Sequence, residues 1–102
     1  MSFADVCRLK KPRSTVRFVV VLQDDLHDAL ATRVAAPLVA VDEVAAPIRG
    51  LHPEVEVLGH RYRVLVNELA SLPVTELEPP VRDLADRRAE LLAAMDLLMT
   101  GI

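Results

Sequence analysis

The chain has 102 residues, with 52% apolar and 3% aromatic side chains. That length fits one domain, spanning 1–102, and that composition excludes a disordered chain and calls for an aliphatic core. The formal charge of −3 divides into +2 over residues 1–33 and −5 over residues 34–102, so the basic patch is small and broad nucleic-acid binding is not expected.

Residues 3–9 read as a short first strand, followed by a charged loop, Lys10-Lys11-Pro12-Arg13-Ser14, where Pro12 argues against further pairing. Cys7 has no second cysteine to pair with and alternates as a buried strand residue. Residues 15–22 give the strongest strand signal. Val16, Phe18, Val20 and Leu22 share one face and Val19 and Val21 make the other apolar, which predicts a central strand covered on both sides. Residues 23–32 form an acidic loop containing Leu26 and His27. Arg33 to Val41 reads as a strand interrupted by Pro37, hence bulged or at an edge. Residues 42–53 read as a long loop with Pro47, Gly50 and Pro53, and 54–66 as a hairpin turning at Gly59-His60. Residues 71–75 read as a short edge strand.

Pro79-Pro80 is expected to mark a helix entrance, with Asp83 or Asp86 capping the first turn. Leu84, Leu91, Leu92, Met95, Leu98 and Met99 follow helical spacing, and Ala93, Ala94 and Leu97 widen the stripe beyond one core face. The helix becomes more apolar toward Met99-Thr100-Gly101-Ile102, so its end is expected either to meet a second molecule or to fold back on its own core. A domain of this size buries only ~60–65% of its unfolded surface, which favours a dimer. Strands first and one helix last make an α+β, mainly β fold.

Little here suggests catalysis. Three glycines make no phosphate loop, and His27, His52 and His60 lack metal-ligand spacing and read as surface or turn residues. Ser2, Ser14 and Ser71 have no nucleophile context. No metal, cofactor or membrane anchor is expected, and the cytoplasm is the expected location.

Residues Arg17-Phe-Val-Val-Val-Leu-Gln23, the spacing of Asp28, Arg33 and Pro37-Leu38, then Leu69-Ala-Ser-Leu-Pro-Val-Thr75, Val81-Arg-Asp-Leu84, Arg87 and Met95-Asp-Leu-Leu-Met-Thr-Gly-Ile102 resemble the CcdB family of toxins. The resemblance implies an SH3-like β-barrel or sheet of the CcdB/MazF type with a C-terminal helix, paired as a homodimer. It implies a non-enzymatic plasmid-maintenance toxin that traps DNA gyrase on cleaved DNA through the gyrase A subunit, and a CcdA-like antitoxin that folds onto the toxin. Carried over by position, the gyrase-binding set is Leu26, His27, Asp96, Met99, Thr100, Gly101 and Ile102. The family's gyrase poisons have tryptophan at the position of Thr100, isoleucine at His27, asparagine at Asp96 and phenylalanine at Met99. Arg8, Arg13 and Arg17 are candidates for holding an acidic antitoxin. One alternative is a homologue that keeps antitoxin binding and has lost gyrase poisoning. Another is a MazF-like ribonuclease using the Arg8–Arg17 cluster with His27, against which the overall acidity and the scarcity of stacking aromatics argue.

Overall fold

A computed structural model describes residues 1–25 and 29–101. Among these described residues, seven strands and one α-helix follow in order: β1 (Asp5–Arg13), β2 (Val16–Val21), β3 (Thr32–Ala40), β4 (Glu54–Val57), β5 (His60–Val64), β6 (Ala70–Pro73), β7 (Leu77–Asp83) and α1 (Arg88–Thr100). All pairings are antiparallel, in the order β4-β5-β3-β2-β1-β7, with β6 joining β3 off this path. The sheet curls into a half-barrel with the helix after it, an α+β, mainly β fold.

The two-sided apolar pattern of β2 governs the interior. Phe18, Val20 and Leu22 enter one buried cluster with Leu38, Val64, Leu84, Leu91 and Ala94, while Val19 and Val21 enter a second with Cys7, Leu9, Ala35, Leu72 and Leu77. Val16, expected on the Phe18 face, packs against this second cluster where the β1–β2 register shifts. Helix α1 packs on the first cluster through Leu91 and Ala94, both fully buried. Burying a leucine is worth about 1.5–3 kcal/mol, more than a 13-residue helix obtains from propensity alone.

Several expectations need correction. β3 is neither bulged nor at an edge: it pairs β2 in even register from Ala35 to Leu38. On its other side β6 pairs residues 32–35 and β5 pairs residues 38–40. Pro37 stands in the gap between them. Its carbonyl accepts from the Leu65 N–H at 3.0 Å, and a strand residue's N–H and C=O point the same way. The missing donor therefore faces Leu65, whose carbonyl accepts instead from the Glu68 N–H at 3.0 Å. β1 extends through Pro12 to Arg13, with a register shift between Arg8 and Arg13 that accommodates the proline. The stretch containing Pro79 and Pro80 is strand β7, not a helix entrance. β7 pairs only β1, and its register shifts around the Cys7–Pro80 pair, so prolines are tolerated there.

A 3₁₀ turn, Ala85–Arg87, leads into α1. Asp83 accepts the Ala85 N–H at 2.8 Å and Asp86 faces Arg82 at 3.8 Å, but α1 itself starts behind Arg87 with no side-chain cap, so neither aspartate caps the helix as expected. The 54–66 hairpin forms as expected, with its turn one residue earlier, at Leu58-Gly59. Both residues adopt left-handed backbone, with φ 51° and 82°, as a two-residue hairpin turn requires.

Candidate functional site

The residues inherited from the family pattern fall at the end of α1. Leu91 and Ala94 point into the core, and Met95 and Leu98 pack partly against it. Residues 92, 96 and 99 are spaced i, i+4 and i+7, so they share the outward stripe. Leu92 is accordingly exposed, and Met99 is 68% exposed, more than any other large hydrophobic residue among those described. The tip does not fold back on the core at Met99. Asp96 sits between these two apolar residues and is also exposed. No basic residue occupies the last turn. A negative charge there opposes the helix dipole by about 0.3–1 kcal/mol, so helix stability does not account for Asp96.

The helix is closed by its own backbone. Gly101 takes φ 76° and its N–H donates to the Leu97 carbonyl at 2.9 Å, a left-handed cap that glycine adopts without steric cost. Space around Gly101 is open, so the requirement for glycine is conformational. The Thr100 hydroxyl donates to the Asp96 carbonyl at 2.7 Å. The structure thus gathers Asp96, Met99, Thr100 and Gly101 on one exposed helix end. Leu26, His27 and Ile102 lie outside the described residues.

The basic residues separate into two places. Arg8 and Arg17 meet in a cavity of about 410 Å³ between the β1–β2 and β4–β5 hairpins, together with Phe18, Leu58, His60 and Tyr62. The Arg8 guanidinium stands 5.3 Å from the centre of the Phe18 ring, a cation–π contact. Phe18 and Tyr62 meet edge to face at 5.7 Å. Leu58 reaches the rim, 53% exposed and in left-handed backbone. Leucine in that conformation costs on the order of 1–3 kcal/mol, and such strain concentrates at functional surfaces. Arg13 lies apart, its Nη2 donating to both carboxylate oxygens of Glu76 at 3.0 and 3.1 Å. Sequence reasoning found the two cations of this cavity but not Leu58, His60 or Tyr62. The alternating Val55 and Val57 around Leu58-Gly59 did signal that a hairpin tip stands there.

His52 lies in a turn, one of the two settings expected of it, but is only 7% exposed and so is not a surface residue. Cys7 is buried as expected, and burial first, then the Asp5 charge, pushes its thiol up to about 11. Such a thiol is protonated and unreactive at neutral pH. On β4, the hydrogen bond from Arg61 holds the Glu54 carboxyl below its ordinary value, with the Arg61 and Arg63 charges adding to it. Among the described residues there is no group of three or more His, Cys, Asp or Glu placed to hold a metal, and no helix long and apolar enough to cross a membrane.

The curled antiparallel sheet, the single terminal helix and the exposed Met99-Thr100-Gly101 end agree with the pattern in the sequence. The family described as CcdB protein matches residues 5–101, nearly the whole chain, and the chain belongs to this family of toxin–antitoxin toxins.

Proposed function

We propose that this protein is a gyrase-directed toxin that works as a homodimer, is neutralised by a CcdA-like antitoxin and acts in the cytoplasm. The observation that carries the reading is Met99, 68% exposed on the outward face of the helix end, away from the face that Leu98 turns to the core. With Asp96, Thr100 and Gly101 it forms a projecting edge that a partner protein can receive, and Leu26, His27 and Ile102 complete the set by family position. Nothing in this mechanism requires bond chemistry from the toxin. Its tip stabilises the gyrase–DNA cleavage complex by binding it, which makes affinity the whole of the activity. Pairing two copies doubles the number of tips, and a second tip on the same target gains from effective concentration.

The antitoxin surface we infer is the cavity holding Arg8 and Arg17. Two cations, an aromatic pair and the protruding Leu58 suit a peptide that alternates acidic and apolar side chains. Arg13, already paired with Glu76, contributes less.

A second reading, antitoxin binding without gyrase poisoning, is favoured by the chemistry of the tip itself. Thr100 is small and exposed there, and Asp96 adds a charge beside Met99. Neither provides the aromatic anchor typical of a strong interface.

Induced expression in bacteria, with and without the neighbouring open reading frame, tests the toxin reading. Growth arrest relieved by the neighbour is expected. Accumulation of gyrase-linked DNA breaks in the arrested cells supports the first reading, and arrest without breaks rejects it. Failure to arrest growth, with tight binding to the neighbour's product, supports the second. Light scattering should give twice the 11.2 kDa chain mass, and a monomer at micromolar concentration would remove the dimer.

A further inference from the structure

Both ring nitrogens of His52 are committed. Nδ1 accepts from the Ile48 N–H at 3.0 Å, and Nε2 lies 2.8 Å from Oδ1 of Asn67. An imidazole with its single proton on Nε2 satisfies both bonds at once, and no other protonation state does. The bond to Ile48 closes a tight loop. The N–H groups of Leu51 and His52 both donate to the Ile48 carbonyl at 3.1 Å, and the Leu51 carbonyl accepts from Val66 at 3.2 Å. The His52 carbonyl accepts from Arg63 Nη1 at 2.9 Å.

This loop presses on α1. Gly50 has φ +85°, and a Cβ added there would stand 2.8 Å from Cδ2 of Leu97. Leu97 is also the residue whose carbonyl receives the Gly101 cap. The ring of His52 and the end of the helix are therefore joined through one short loop.

We infer that His52 is a proton-operated latch. With Nδ1 bare, residues 48–52 are held against α1. A second proton on Nδ1 sets one N–H against another, which breaks the Ile48 bond and frees the loop from Leu97, one turn before the helix tip. The charged groups around the ring do not prevent this. Arg49 from the loop, Arg63 from β5 and Glu90 from α1 line the adjoining cavity of about 450 Å³. Glu54 of β4 is bonded by Arg61 and stands 3.8 Å from Arg63, while Glu68 follows Asn67 on an exposed turn. Among the described residues no carboxylate bonds the ring, so an imidazolium gains no dedicated partner in place of the bond it loses. The cavity gives the released loop and entering water room to move. This inference stands on the loop geometry and is independent of the toxin reading.

Nuclear magnetic resonance of the ¹⁵N-labelled full chain, titrated from mildly alkaline to mildly acidic pH, tests the latch. At the alkaline end the His52 ring should show the Nε2–H tautomer, and Ile48 should show scalar coupling across its N–H···N bond. On acidification that coupling should vanish, and the Gly50 and Leu97 amide signals should shift with the midpoint of the His52 ring while Val20 stays fixed. His52→Asn offers an acceptor to Ile48 but cannot titrate, so its Gly50 and Leu97 signals should not shift. Protonation of His52 with Gly50 and Leu97 unmoved would overturn the proposal. So would shifts that follow His60, or Val20 moving at the same midpoint, which would mean global unfolding. Should His52→Asn not fold, the wild-type midpoints decide alone.

Discussion

Replacing Thr100 by tryptophan is the sharpest test of the helix end. The side chain is exposed, and its hydroxyl donates to the Asp96 carbonyl at 2.7 Å. That carbonyl can turn to water, so the fold should lose no more than about 0.5 kcal/mol, as at an ordinary surface position. In a complex, a tryptophan adds about 150 Å² of buried surface. At about 25 cal/mol/Å² this is ~4 kcal/mol gross, less about 1 kcal/mol for ordering the side chain. The remaining ~3 kcal/mol corresponds to about a 100-fold gain in affinity. Isothermal titration of the purified gyrase A subunit with Thr100→Trp and wild type measures the difference directly, and a thermal melt confirms that both are folded. Equal affinities from two equally stable proteins would refute the reasoning, because the tip could then not be the surface that meets gyrase.

Other outcomes follow from the same coordinates. Leu91→Ala empties a fully buried position under α1 and should cost about 2–5 kcal/mol, read as a lower midpoint in urea unfolding. Cys7 carries a folded-state thiol value raised from 9.0 to about 11. Its contribution to stability is complete below pH 9 and disappears as pH rises toward 11. Alkaline melts should fall over that window in wild type and fall less in Cys7→Ala, and at neutral pH a thiol reagent should label only the unfolded chain. Glu54 behaves in the opposite sense. Its folded-state value lies below 4.5, so its contribution is present above pH 4.5 and lost as the pH drops further. Glu54→Gln should therefore be slightly less stable than wild type near neutrality and show a flatter acid limb, the two proteins converging as the pH falls below 4.5.

The sequence by itself determined the mainly β character, the buried double face of β2, the 54–66 hairpin and the apolar end of α1, whose exposure at Met99 only the structure decided. Each rests on periodicity: a strand repeats every two residues and a helix every 3.6, so the faces are written into the order of side chains. Proline and histidine were read less well, because their meaning depends on neighbours that periodicity does not supply. Pro37 sits within an interior strand only because β5 and β6 divide its far side between them. Pro79 and Pro80 belong to a strand because the sheet ends at β7. His52 is buried because Ile48 and Asn67 occupy both sides of its ring. The two arginines of one cavity, Arg8 and Arg17, and the separate pairing of Arg13 with Glu76 were likewise settled by folding. The cause is common to all of these. Local propensity and face alternation act within a segment, whereas edges, satisfied polar groups and convergent side chains arise from contacts between segments far apart in the chain.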